Sequence, residues 1–155
     1  MKQVTLLLLR KPGHVLLAMK KRGFGEGLWN GVGGKVGPGE TVKAAAIREC
    51  QEEIGITPQN VKLTGRIRFT MPDDPTFGHD CFIFTANHWE GEPQETEEMR
   101  PQWFKVTEIP YEKMWPVDSI WMPHLIADEH FTGSAHTSET ELISHDIKVV
   151  PAIRD

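Results

Sequence analysis

The stretch Gly34–Ile56, GKVGPGETVKAAAIRECQEEIGI, decides the reading of this chain. Between Thr41 and Ile54 its interior is rich in Ala, Ile, Arg, Glu and Gln, which are good or tolerable helix formers. Pro38-Gly39 precedes the segment, and Gly55 follows it where a left-handed C-terminal cap belongs. The spacing predicts a helix over 41–54, with Ile47, Cys50 and Ile54 sharing the side that faces a core. Glu49, Glu52 and Glu53 stand three and four residues apart, so their carboxylates share one helical face. Like charges at that spacing repel by about 0.2–0.5 kcal/mol per pair on an exposed helix, and by more when partly buried. Such a face is either solvated or organised around a cation, and hard oxygen donors suit Mg²⁺ or Mn²⁺.

Upstream, Gly23–Gly39 holds 8 of the chain's 14 glycines. That much backbone freedom is entropically costly to order, and it is expected where a loop approaches a ligand; a flexible surface loop is the plainer alternative. Further upstream, Val4–Arg10 and His14–Lys20 read as strands joined by the turn Lys11-Pro12-Gly13, a pattern that predicts a hairpin. Downstream, Val61–Met71 and Asp80–Ala86 read as strands with Pro72–Gly78 as a loop between them. Pro101–Val106 and Leu142–Val149 are further strands. Asp118–His130 reads as a helix, with Asp118 as its N-cap and Pro123 as a defect. Strands outnumber helices and hairpins dominate, which favours a mixed sheet with helices packed on it.

The chain has 155 residues, enough for one domain with a substantial core. Its formal charge of −5 argues against a polynucleotide partner. Cys50 and Cys81 are too few for a disulfide framework and point to a reducing, cytoplasmic setting. The apolar run Leu6–Leu9 ends at Arg10 and is too short to span a membrane or to serve as a leader.

The quoted stretch resembles the Nudix box. Gly34, Glu40, Arg48, Glu49, Glu52, Glu53, Gly55 and Ile56 occupy its fixed positions, and Cys50 stands as a small hydrophobe in its first apolar position. The resemblance implies the Nudix fold, an α/β/α sandwich around a mixed β-sheet, here a single domain over 1–155. It also implies Mg²⁺-dependent hydrolysis of a nucleoside diphosphate derivative. Glu49, Glu52 and Glu53 become metal ligands, and Glu53 also orients or deprotonates the attacking water. Arg48 holds a catalytic glutamate or pairs with Glu52, Glu40 anchors loop to helix, and the Gly33 carbonyl joins the metal site.

Outside the box, Met19–Val36 (MKKRGFGEGLWNGVGGKV), Glu97–Phe104 (EEMRPQWF) and Met114–Pro123 (MWPVDSIWMP) resemble the mammalian-type MutT homologues, the oxidised purine nucleoside triphosphatases. The resemblance covers most of the chain to about His130. It implies cleavage of an 8-oxo-dGTP-type triphosphate to monophosphate and pyrophosphate by a monomer acting on a small molecule. Trp115 and Phe69 would stack the base, Phe24 and Met99 would extend the wall, and Asn30 and Asp118 would read the base edge. Thr5, Lys20, Val32, Gly33, Gly34, Lys35, Pro116 and Val117 would lie beside the nucleotide, and Glu98 would be an additional metal ligand. The relatives carry two adjacent aspartates where this chain has Val117-Asp118, so a narrower choice of base is expected. Hydrolysis of a dinucleotide polyphosphate or nucleotide sugar is the rival enzymatic reading, and a non-catalytic nucleotide-binding module is the rival outside enzymes.

Overall fold

The computed structural model describes residues 1–154. Its chain order begins β1 (Lys2–Lys11), β2 (His14–Lys20) and the two-residue β3 (Trp29–Asn30), and continues through helix α1 (Val42–Ile54). It then runs β4 (Thr57–Gln59), β5 (Lys62–Met71), β6 (Asp74–Ala86), β7 (His88–Glu90) and β8 (Met99–Lys105). Helix α2 (Asp118–Ile126), β9 (His130–Thr137) and β10 (Leu142–Val150) complete it. The large sheet has the order β10-β9-β5-β6-β1-β2-β3, with β8 also paired to β2. It is mixed: β1 runs parallel to β6 and β5 parallel to β9, whereas the other pairs in this sheet are antiparallel.

Strand alternation divides this sheet between two cores. On β1, Leu7 and Leu9 face the α1 side with Leu16, Cys50, Ile54, Phe82 and Phe84. Leu8 faces the other side with Leu17, Ile83, Trp121, Leu125 and Phe131 beneath α2. One helix on each face gives the α/β/α layering expected from the resemblance. Helix α1 starts at Thr41, whose hydroxyl accepts from the Ala44 N–H. It ends at Gly55 with φ of 73°, a left-handed cap that suits glycine. Cys50 and Ile54 are fully buried as expected, while Ile47 packs against the same core from its rim.

The expected β1–β2 hairpin forms, but its ladder is short: Arg10 pairs with Val15 and Lys11 with His14. β8 pairs with β2 along the whole of its other edge, from His14–Lys105 to Lys20–Met99, and past Val15 the glycine-rich segment enters between β1 and β2. There Leu7 and Val32 exchange backbone hydrogen bonds, Thr5 N–H donates to Gly34 O, and Val36 N–H to Gln3 O. A cleft opens where β1 and β2 part.

Several expected boundaries move. Pro72–Gly78 is not a loop, because β6 already begins at Asp74 and the turn shrinks to Pro72-Asp73. Helix α2 stops at Ile126 instead of His130, since Asp128 adopts φ of 60° and His130 starts a strand parallel to β5. Asp118 does not cap α2: it is the first helical residue, Val117 occupies the cap position, and the Asp118 carboxylate turns inward. The short strands β3, β4 and β7 and all of β9 lacked a readable alternation in the sequence.

Candidate active site

The cleft between β1 and β2 contains a cavity of about 300 Å³ with a mainly apolar lining. Val4, Thr5 and Leu6 of β1, Ala18 and Lys20 of β2, and Phe69 of β5 line it, together with Trp115 and Asp118 around the start of α2. Trp115 lies 5.3 Å from Phe24, centroid to centroid, and Phe24 lies 5.7 Å from Phe77, so three aromatic rings form the rim. Phe24 remains 54% exposed, as befits a residue at the mouth. Of the residues expected beside a nucleotide, Thr5, Lys20, Phe24, Asn30, Gly33, Gly34, Lys35, Phe69, Met99, Trp115 and Asp118 meet in this one cavity.

Three expected residues do not line it. Val117 is fully buried in the core under α2, and Val32 is buried in the core under α1, each drawn away by apolar packing. Pro116 flanks Trp115, where its carbonyl accepts from the Ser119 hydroxyl at 3.3 Å. Conversely, Phe77, His79 and Cys81 were not anticipated and do line the cavity. Their two-residue spacing puts them on one face of β6, a signal that was readable once Pro72–Gly78 is recognised as mostly strand. Burial, with Lys2 and Lys35 adding to it, holds the His79 imidazole below its usual range and favours its neutral form.

Asp118 is the polar centre of this pocket. It is 2% exposed; Oδ1 accepts the Trp121 Nε1–H at 2.9 Å, and Oδ2 is buried without a partner. Burial pushes its carboxyl up to about 7, against the pull of the Trp121 hydrogen bond. The carboxyl therefore keeps its proton well above the ordinary carboxylate range, so it can donate as well as accept. Asn30 Oδ1 already accepts the Gly31 N–H at 2.8 Å.

The acids of α1 lie beyond the glycine-rich strand-like segment. A Cβ on Gly34 would stand 2.7 Å from the Glu49 carboxylate, so glycine is what allows that carboxylate to rest against the loop. A Cβ on Gly33 would lie 1.7 Å from the Thr5 carbonyl oxygen, which the β1 pairing forbids. Arg48 organises the helix entrance. Its Nε and Nη2 donate to the two oxygens of Glu40 at 2.7 and 2.9 Å. Its Nη1 reaches Glu49 at 3.0 Å and Glu52 at 3.2 Å, and Nη2 also reaches the Lys35 carbonyl at 3.1 Å. Arg48 thus touches both Glu49 and its i,i+4 neighbour Glu52, and Glu40 ties loop to helix through a further bond from Gly37 N–H at 2.7 Å. Arg48 and the Gly37 amide hold the Glu40 carboxyl down to about 2.

Glu53 is set apart from its neighbours. Its Oε2 is buried and unpartnered. Burial first, then the adjacent Glu49, pushes its carboxyl up to about 7, with Lys20 opposing the rise. Glu52, with its side chain 59% exposed, turns out toward Arg48. Glu98 is held by Arg22, whose Nε donates to it at 2.9 Å. Among the described residues, no three His, Cys, Asp or Glu side chains are gathered as a ready metal-ligand set. The three-acid face expected of α1 thus resolves into an inward pair, Glu49 and Glu53, and an outward Glu52. An orphaned carboxylate oxygen beside a second carboxylate is nevertheless a donor set that fits a hard divalent cation.

The fold agrees with that of the known proteins the chain matches. The chain belongs to the Nudix family: the NUDIX domain model matches residues 1–125. It is 44% identical over 147 residues to the oxidized purine nucleoside triphosphate hydrolase of Mus musculus, a match covering 94% of each chain. The protein of the same description from Danio rerio is 48% identical over 132 residues, 85% of this chain and 84% of that one. Among solved structures, a MutT mutator protein from Bacillus halodurans superposes with a TM-score of 0.84 at 29% identity, covering 95% of this chain and 97% of that one. The chain is a hydrolase of this family, and β9 and β10, beyond the residues that the family model matches, complete the same sheet. No helix among the described residues is long and apolar enough to cross a membrane.

Proposed function

We propose that this chain hydrolyses oxidised purine nucleoside triphosphates of the 8-oxo-dGTP type to the monophosphate and pyrophosphate, using Mg²⁺ or Mn²⁺. One observation carries the reading: an apolar, aromatic-rimmed cavity holds a buried carboxyl with a free oxygen, and carboxylates lie just across the glycine-rich segment. A purine needs flat walls and a few edge-reading groups, and Trp115, Phe69 and Phe24 with Asp118 and Asn30 provide that combination. The relatives named above support the choice of substrate.

Glu49 and Glu53 would hold the metal, with Glu52 and Glu98 free to join after turning from Arg48 and Arg22. When bound, such an ion neutralises phosphate oxygens and polarises phosphorus toward attack. The protein's own groups do the rest. Glu53, whose Oε2 is buried and unpartnered, takes the proton of the attacking water there. Arg48 keeps the Glu49 carboxylate in one rotamer. Asp118 either donates or accepts at the base edge according to its protonation. Its neighbour Val117 supplies no second carboxyl to the pocket, so one class of modified purine is preferred. The protein works in the reducing cytoplasm, in keeping with two buried free thiols, and acts as a single chain.

The test is a panel of 8-oxo-dGTP, 2-oxo-dATP, O6-methyl-dGTP and dGTP with purified protein and Mg²⁺, scored as kcat/KM and by product identity. Preference for one modified triphosphate over dGTP, with pyrophosphate released, is expected. Equal kcat/KM for 8-oxo-dGTP and 2-oxo-dATP would remove the selectivity assigned to Val117. Absence of turnover on all four would remove the substrate class.

A further inference from the structure

The last carbonyls of an α-helix have no partner within the helix and must be satisfied from outside. At the end of α1, Gly55 N–H takes the Gln51 carbonyl at 3.1 Å. The carbonyls of Glu53 and Ile54 are met by a loop from a distant part of the chain. Gln94 N–H donates to Ile54 O at 2.9 Å, and the Thr96 hydroxyl donates to Glu53 O at 2.9 Å. The same hydroxyl oxygen accepts the N–H groups of Glu98 and Met99, each at 3.3 Å, while Thr96 N–H donates to Met99 O at 3.0 Å. A single hydroxyl thus bridges the backbone of Glu53, the acid with the orphaned oxygen, to the backbone of Met99, a wall of the base cavity.

Lys21 and Arg22, between β2 and the glycine-rich segment, grip this loop from its other side. Lys21 Nζ donates to Glu95 at 2.6 Å and to the Thr96 carbonyl at 2.9 Å, and Lys21 N–H donates to Glu98 O at 2.9 Å. Arg22 holds the Glu98 carboxylate. Three parts of the site with no covalent continuity, the Glu53 turn of α1, the Met99 wall and the loop carrying Phe24, therefore meet at residues 94–99.

We propose that Thr96 is a positioning residue for hydrolysis: its hydroxyl sets the register between the Glu53 turn and the Met99 wall, so that a base seated in the cavity and the acids of α1 are correctly spaced. This rests on Glu53 being the working acid of the Nudix site. A displacement of about 1 Å at such a junction is enough to cost as much as about a hundredfold in rate. Valine is nearly isosteric with threonine but cannot bridge, whereas serine can.

The experiment compares wild type, Thr96→Val and Thr96→Ser in three measurements. The first is steady-state kinetics on the preferred triphosphate, the second is Mn²⁺ binding without nucleotide, and the third is amide hydrogen exchange at Glu98 and Met99. Thr96→Val is expected to lower kcat about tenfold, raise KM, weaken Mn²⁺ binding and speed exchange at both amides. Thr96→Ser should return all of these to within about twofold of wild type. A folded Thr96→Val protein with kcat, KM, Mn²⁺ affinity and exchange unchanged would overturn the proposal. So would a lowered melting temperature with kinetics intact, which is the mark of a purely structural cap. If wild type turns over none of the triphosphates, the substrate reading fails, and the Mn²⁺ and exchange measurements still decide the role of Thr96.

Discussion

Replacing Asp118 by Asn makes the protein's stability answer a pH question. Asp118 is fully enclosed, and burial lifts its carboxyl from an ordinary 3.8 to about 7. Between those values the folded protein keeps a proton that the unfolded chain has released, so folding stability falls as pH rises from about 4 to about 7. Above about 7 the penalty is complete. At 1.36 kcal/mol per pH unit, the gap corresponds to about 4 kcal/mol. Asn carries no charge and keeps an acceptor for the Trp121 Nε1–H. Its amide nitrogen takes the place of the unpartnered Oδ2, trading one unsatisfied group for another, at a roughly pH-independent cost of about 1–3 kcal/mol. Urea denaturation of wild type and variant at pH 4.5 and pH 8 isolates the titrating part, because the fixed cost cancels in the comparison. The variant should gain on wild type by about 2–4 kcal/mol between the two pH values. The same difference in stability at both would mean that Asp118 does not hold its proton through this range, and the donor role assigned to it at the base edge would fall with it.

The remaining expectations concern the acid site. Glu53→Gln should lower kcat by about a hundredfold or more at saturating Mg²⁺, with an unchanged circular dichroism spectrum; wild-type turnover in that variant would contradict the role given to Glu53. Arg48→Ala, which leaves Glu40, Glu49 and Glu52 without their shared partner, should lower kcat about tenfold or more, and Arg48→Lys should not restore it, because an ammonium cannot reproduce the planar fork; steady-state kinetics on the three proteins checks this. Gly33→Ala drives a Cβ to 1.7 Å from the Thr5 carbonyl oxygen and should cost about 3 kcal/mol or more, read by urea denaturation, with activity lost because the segment between cavity and acids is displaced.

How much was legible in the sequence depended on whether the signal was local. Helix α1 was readable to within a residue, because its cap, its apolar side and its terminal glycine all lie within fifteen consecutive positions. The aromatic and polar walls from Trp115, Phe69, Asn30 and Asp118 were readable as a set only through the resemblance, and the structure does bring them into one cavity. Phe77 was missed because the prolines and aspartates of residues 72–75 suggested a loop, while pairing with β5 holds that segment as strand; Cys81 lay in an expected strand, and only the tertiary structure turns its face to the cavity. Strand β9 was not anticipated, the expected helix taking only its first residue, His130: Phe131 and Ala135 acquire their buried environment only from β5 and the α2 core.

By itself the sequence determined the family, the layered mixed fold and the identity of the acidic helix, since each is written in residue type and short-range spacing. Tertiary structure decided which carboxylates turn inward, that Val117 belongs to the core and not to the pocket, and that Thr96 ties two ends of the site together. Those outcomes depend on burial and on hydrogen bonds between segments up to dozens of residues apart, such as the 43 positions between Glu53 and Thr96. A carboxyl's proton affinity and a valine's direction are properties of the surrounding packing, and no run of neighbouring residues encodes them.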